Sequence, residues 1–308
     1  MQTANRVIKN TGFLYARMAI TMFISLYTTR LVLNSLGASD FGIYNVVGGI
    51  IAMLGFLNTA MTSATQRFMS FAEGTGNKEN QIKIFNISVI LHFLIAVFMI
   101  FIFLALSYIF FNGFLQIPEE RIKAAKIIYY FMIASTAFTV MTVPYDAVLN
   151  AHENMLYYTI TGIIESILKL IVAFIIIYSF NDKLIIYGGL TMIISLIIML
   201  MKRSYCNKHY SECYLSPHKH YDKNIMTEMT SFAGWNFSMV AISMITNYGM
   251  GIVLNVFFGT ILNAAQGVAN QITGQLNTFS SNMMKALSPV ITKSEGAGDR
   301  KKMLKTSA

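Results

Sequence analysis

Charge is what this 308-residue chain has least of: 12% of its residues are Asp, Glu, Lys or Arg, and 55% are hydrophobic. A water-soluble domain needs more charge than that on its surface, so this balance, with a mean hydropathy of +0.55, excludes the soluble globular class. Cysteine is equally scarce. Cys206 and Cys213 lie together in one basic stretch, which excludes a disulfide framework. No phosphate-cradling loop is present: Glu73-Gly74-Thr75-Gly76-Asn77-Lys78 lacks the Lys-Ser/Thr ending that holds nucleotide phosphates and Mg²⁺. No nucleophile–base set or metal-binding dyad stands out, so neither an enzyme nor a cofactor is expected. Arg6 and Lys9 precede an apolar run too long for the core of a cleavable signal.

What the chain has instead is length of apolar sequence. Eight runs reach the roughly 20 residues needed to cross a hydrocarbon core, at about 11–36, 41–63, 84–111, 122–146, 155–179, 184–201, 231–257 and 263–290. The net charge of +9 sits in short blocks between these runs, the placement membrane topology demands, so no nucleic-acid partner is expected. Alternate connections carry fifteen Lys and Arg on one side and four on the other. By the positive-inside rule both termini face the cytoplasm.

The second organising feature is a repeat. Shifting the sequence by 222 positions lays Gly12 on Gly234, Gly37 on Gly259 and Ala64 on Ala286. The same shift lays the segment from Glu73 to Lys78 on Glu295-Gly296-Ala297-Gly298-Asp299-Arg300. Six crossings separate the copies, so both enter the membrane in the same sense, as parallel transporter repeats do. The expected fold is therefore an all-α polytopic membrane protein of about eight transmembrane helices. Residues 1–201 form a complete six-helix N-terminal lobe, and 202–230 form a cytoplasmic linker. Residues 231–308 begin a second lobe with two helices and a tail. A full second lobe would need about 222 residues, so the chain reads as the front part of a longer transporter.

Several stretches resemble the polysaccharide-transporter branch of the multidrug/oligosaccharidyl-lipid/polysaccharide exporter superfamily, the Wzx-type O-antigen flippases. They are TGFLYARMAITMFISLYTTRLVLNSLGASDFGIYNVVGG, RSYCNKHYSEC, SFAGWNF, NVFFGTILNAAQGVANQITGQLN and SPVITKSEGAGDRKKM. The resemblance implies two helical lobes around a polar cavity in a bacterial inner membrane. It also implies alternating-access movement of an undecaprenyl-pyrophosphate-linked oligosaccharide, for surface polysaccharide and lipopolysaccharide synthesis. Polysaccharide-assembly proteins are then expected partners, and the prenyl tail passes between spans one and eight.

A charge within a span costs about 2.5–3.5 kcal/mol at mid-membrane on insertion scales, so each one is a functional candidate. Glu165 and Lys169 stand four apart in span five. They read either as a self-neutralised pair or as a cavity cation with its tuning acid. Arg17 and Arg30 share span one, and thirteen residues of helix put them roughly 140° apart, so one regular helix aims only one of them into a cavity. The resemblance favours Arg17, with interfacial anchoring as the plainer alternative. Lys285, a turn inside the end of span eight, is expected to reach the interface. In span eight Gln266, Asn270, Thr273, Asn277 and Ser281 recur at three- and four-residue steps, a polar stripe suited to a cavity wall or to helix contacts. Asn236 and Asn247 in span seven add to it more weakly. His92 is expected to be packed, and the Cys206–His220 linker lacks a standard zinc spacing.

Three alternatives to the flippase stand beside it. A cation-coupled multidrug-type exporter of the same superfamily would want buried carboxylates, and Glu165 is the deep one, with Asp146 at a span end. An inactive truncated remnant fits the missing spans. A membrane polysaccharide polymerase would need large external loops, and the longest here is about 10 residues.

Overall fold

The computed structural model describes residues 2–53, 55–111 and 117–307, with the side chains of 243–276 and of several shorter stretches outside the description. Nearly all of it is α-helix, and no strand occurs among the described residues. The order is α1 (Gln2–Met53), α2 (Gly55–Thr75), α3 (Lys78–Ile109), α4 (Ile122–Ala151), α5 (Met155–Ile177), α6 (Lys183–His209), α7 (Pro217–His220), α8 (Lys223–Gly296) and α9 (Arg300–Ser307). Asn77, Asn154, Asp182 and Asp222 each accept a hydrogen bond from a backbone N–H two or three residues on, and so start α3, α5, α6 and α8.

Among the described residues five helices are long and apolar enough to cross a membrane, and α1 holds the first expected crossing and the start of the second, which continues into α2. Its backbone leaves helical geometry at Gly37, where φ is +76°. Before that glycine, Leu14 packs near Met155 at the start of α5 and Val32 near Ile176 at its end. After it, Asp40 bonds Arg121 beside the start of α4, and Met61 and Ala64 join Leu149 at the end of α4. Since α4 and α5 run in opposite senses, α1 reverses at Gly37. Left-handed φ costs little only for glycine, which is why the reversal falls there.

A similar reversal occurs in α8. Separate helices are expected at 231–257 and 263–290, whereas the backbone is helical from Lys223 through Gly296. A straight helix would carry Phe232 and Lys293 about 90 Å apart. Yet Phe232 packs on Phe68, and Lys293 lies against Glu73, five residues further along α2. The chain therefore doubles back between them, and both arms start or end beside α2. Its first arm leaves from the same end of the bundle as α1 does.

The six crossings of the first copy alternate in direction, and their connections gather at two ends. At one end Arg121 pairs with both Asp40 and Asp182. At the other, called here the basic end, Glu73, His152, Glu153, Glu212 and Lys293 converge. Between the ends, Phe93, Phe98 and Phe101 on α3 and Ile167, Ile171 and Phe174 on α5 are exposed. Each would cost on the order of 1 kcal/mol in water and nothing among acyl chains. The chain is an all-α polytopic membrane protein.

Candidate functional site

α5 carries the polar face of the bundle. Tyr158, Gly162, Glu165 and Lys169 follow one another at steps of four, three and four, so they share one side of the helix. Lys169 Nζ donates to Glu165 Oε1 at 2.6 Å. Their side chains are 45% and 35% exposed, so both charges remain within reach of water rather than sealed in the core.

One turn before Glu165, Gly162 makes room for a cation. A Cβ there would fall 2.1 Å from Arg17 Nε. With no side chain in the way, the Arg17 guanidinium lies across α5 with its carbon 4.3 Å from the centre of the Tyr158 ring. Lys285 of α8 reaches the same ring, its Nζ 3.9 Å from the centre, and donates to the Tyr158 hydroxyl. Lys202 of α6 is the third cation, 5.3 Å from the ring centre. It is held by Asp146 of α4 at 2.8 Å. A cation over an aromatic face gains about 0.5–2 kcal/mol, which offsets part of the cost of bringing these charges out of bulk water. Four cations, Arg17, Lys169, Lys202 and Lys285, thus line up against two carboxylates, Asp146 and Glu165, and the site is net positive.

All of these groups but Arg17 border one or more of three adjoining cavities. The smallest, about 240 Å³, is nearest the basic end and is lined by Asn58, Thr62, Gln66, Asp146, Tyr158, Glu165, Lys202 and Lys285, among others. It shares Asn58, Thr139 and Ser195 with a cavity of about 720 Å³ that adds Thr136, Thr191 and Lys169. That cavity in turn shares Tyr44, Asn45, Lys169 and Tyr187 with one of about 610 Å³ reaching Thr21, Ser25 and Thr28 on α1. Hydroxyls and amides line the whole path, which suits a hydrated passage and not a packed apolar core.

Of the residues singled out from the sequence, Arg17, Glu165, Lys169 and Lys285 come together here. Lys285 does so against the expectation of an interfacial lysine: the Tyr158 hydroxyl and ring lie within its reach, so it turns inward. Neither Arg30, which is exposed, nor Arg17 is among the residues lining these cavities; Arg17 differs in lying against Tyr158 beside them. Asn277 is exposed, and Asn236 has a buried Nδ2 with no hydrogen-bond partner among the described residues. The side chains of Asn247, Gln266 and Asn270 lie outside the described residues. Just beyond the stripe, Asn282 contacts Met18 Sδ at 3.3 Å, and Ala286 packs with Leu14. Here spans one and eight touch, where the resemblance implies a gap. Sequence reasoning missed Tyr158, Gly162 and Lys202, and placed Asp146 only at a span end. The first two could have been found from their register with Glu165 and Lys169.

At the basic end Glu73, His152 and Glu212 bring ligand atoms within 4.8 Å of one another, as a metal site would. Lys78 and Lys293 already lie against the same carboxylates, so the group is balanced by its own cations. Burial pushes the Glu212 carboxyl up, but the His152 hydrogen bond, its own backbone N–H and the Lys78 charge outweigh this and leave it below its ordinary value. Cys206 and Cys213 are buried, and their mutual hydrogen bond together with burial pushes the Cys213 thiol up, away from the thiolate a metal would need. His209 and His220 are hydrogen-bonded to carbonyls four residues back, and His92 is buried against the Ser88 carbonyl.

The comparisons agree with this architecture. Among curated sequences none matches. The fold is similar to that of a multidrug-resistance MATE-family transporter of the MOP superfamily in an outward-facing conformation, with a TM-score of 0.82 and 14% identity over 99% of this chain and 68% of that one. A MATE transporter of Vibrio cholerae in its bent form gives 0.78 and 16%, covering 100% of this chain and 71% of that one. A MOP-superfamily transporter of Pyrococcus furiosus, described as having a binding pocket of reverse polarity, gives 0.77 and 14% over 99% and 67%. The MatE family model matches residues 15–175, over half the chain, which places this protein in the MatE family of membrane transporters.

Proposed function

We propose that this chain carries the central cavity of an exporter that moves an anionic amphiphile across the membrane by alternating access, in the multidrug-type manner of its structural relatives. The observation that carries this reading is the cluster around Tyr158, where cations from α1, α6 and α8 meet on one ring. A buried site with excess positive charge stabilises a carboxylate, sulfonate or phosphate and rejects an organic cation. The Pyrococcus furiosus relative, with its pocket of reverse polarity, is a precedent in this fold for a site of changed sign.

Residues 1–201 would act as one moving lobe, 202–230 as the linker and 231–308 as the start of the second, with the basic end in the cytoplasm and the protein in a bacterial inner membrane. Energy would come from the membrane potential, about 2.3 kcal/mol per charge per 100 mV, or from ion gradients acting on the Glu165–Lys169 and Asp146–Lys202 pairs.

A second reading has a specific observation behind it. The same cations suit the pyrophosphate of a lipid-linked oligosaccharide, the cargo implied by the stretches that resemble Wzx-type flippases. Two assays on the purified protein in proteoliposomes separate the readings: uptake of a small anionic dye, and translocation of a prenyl-pyrophosphate glycan. Dye uptake that falls in Arg17→Gln and Lys285→Gln supports the first reading. Glycan translocation without dye uptake supports the second. Preferential uptake of a cationic dye contradicts both.

A further inference from the structure

We infer that the two copies of the Glu-Gly-x-Gly turn meet across the repeat axis as the gate that closes the basic end of the cavity. A Cβ added to Gly74 would lie 2.1 Å from the Lys293 carbonyl oxygen, and one added to Gly296 would lie 2.2 Å from the Phe71 carbonyl oxygen. Under the 222-residue shift Gly74 falls on Gly296 and Phe71 on Lys293. The two contacts are therefore one contact seen from each copy, and a pseudo-two-fold axis passes between them. Only glycine lets two helix backbones approach this closely. The closeness is particular to this pair. Gly12 and Gly234 are also related by the shift, and a Cβ on either would meet nothing within 4 Å.

Charge reinforces the contact and leaves it reversible. Lys293 lies 3.4 Å from Glu73 and 3.9 Å from Glu153, so one side chain of the second copy ties down two elements of the first. When it leaves, Glu73 keeps His152 at 3.4 Å and Lys78 at 4.0 Å. Opening thus leaves the Glu73 carboxylate paired rather than bare. A contact with backbone-tight packing but replaceable ion pairs holds in one state and parts in another.

The inference uses the alternating access of the family and is indifferent to the cargo. The test is therefore a distance read without cargo. Spin labels go on Glu79→Cys and Lys301→Cys, which are exposed and related by the same shift, in a Cys206→Ala/Cys213→Ala background in lipid nanodiscs. Double electron–electron resonance should show one dominant short distance. Gly74→Ala or Gly296→Ala should each move the main peak to longer distance, because neither backbone carbonyl can yield to a methyl group. Gly12→Ala and Gly234→Ala should leave it in place. Lys293→Gln adds no volume and should raise the open-to-closed ratio about two- to fivefold, the effect of losing a partly exposed ion pair. An unchanged distribution in folded Gly74→Ala and Gly296→Ala overturns the gate. If those variants do not fold, an unchanged ratio in Lys293→Gln overturns it instead.

Discussion

The two ends of the bundle are built from the same chemistry and put to different uses. At one end Arg121 donates to both Asp40 and Asp182, and all three residues belong to the first copy of the repeat. A guanidinium shared by two carboxylates is planar, directional and hard to replace. It fastens three connections of one bundle into a rigid unit. At the basic end the corresponding network runs between copies, from Lys293 to Glu73 and Glu153, and uses a lysine, a point charge with no fixed geometry. The difference fits the proposed gate: ion pairs within a copy would hold a body together, and ion pairs between copies would hold a state.

The largest effect should follow from breaking the clamp. Arg121→Ala leaves Asp40 and Asp182 facing each other unpaired and should lower stability by about 2 kcal/mol, read as a drop in the midpoint of thermal unfolding in detergent. Filling the notch beside Tyr158 comes next. Gly162→Leu should displace the Arg17 guanidinium and weaken anion binding about as much as Arg17→Gln does, roughly tenfold for the loss of one charge contact of about 1.4 kcal/mol. If Gly162→Leu binds an anionic amphiphile as the unmodified protein does, Arg17 contributes nothing from that position. Lys293→Gln should cost less than 1 kcal/mol of thermal stability, well below Arg121→Ala. Equal losses at the two ends would erase the distinction between body and state.

The smallest effect is a pH dependence. The Arg121 hydrogen bond, followed by the Leu184 and Ile185 N–H groups and the Arg121 charge, holds the Asp182 carboxyl below its ordinary value. A depressed carboxylate contributes stability above its unfolded-state pKa of about 3.9 and loses it as pH falls through the folded value. Acid should therefore loosen the clamp only below about pH 4, and Asp182→Asn should remove that part of the acid sensitivity. Sensitivity starting near neutrality in the Asp182→Asn difference would assign it to another group.

The helical fold was legible in the sequence because lipid imposes it: long apolar runs with no water to satisfy their backbones become helices. Asp40, Arg121 and Asp182, which lie on connections that the Lys and Arg count assigns to one side, do gather at one end of the bundle. The repeat aligned Gly74 with Gly296, but that the two touch is visible only in the structure. The continuity of α1 through residue 53 and of α8 through 296 was not legible. The break between the runs ending at 36 and starting at 41 does fall at Gly37, but hydropathy cannot show that helical backbone resumes directly after a single glycine. The site was legible only in its charges. Tyr158 and Gly162 were overlooked because an aromatic and a glycine in a span look like packing. Their role appears only when Arg17 and Lys285, 141 and 127 residues from Tyr158, are brought alongside. Asp146 and Lys202 sit near span ends, and their pairing was hidden until α4 and α6 set them together.

The most direct test of a cavity built for negative cargo is a binding measurement on the purified protein with two amphiphilic dyes of equal size and opposite charge. The anionic dye should bind more tightly, and the double variant Arg17→Gln/Lys285→Gln should abolish that preference while retaining the fold. Tighter binding of the cationic dye to the unmodified protein would contradict the assignment of the Tyr158 cluster as the cargo site.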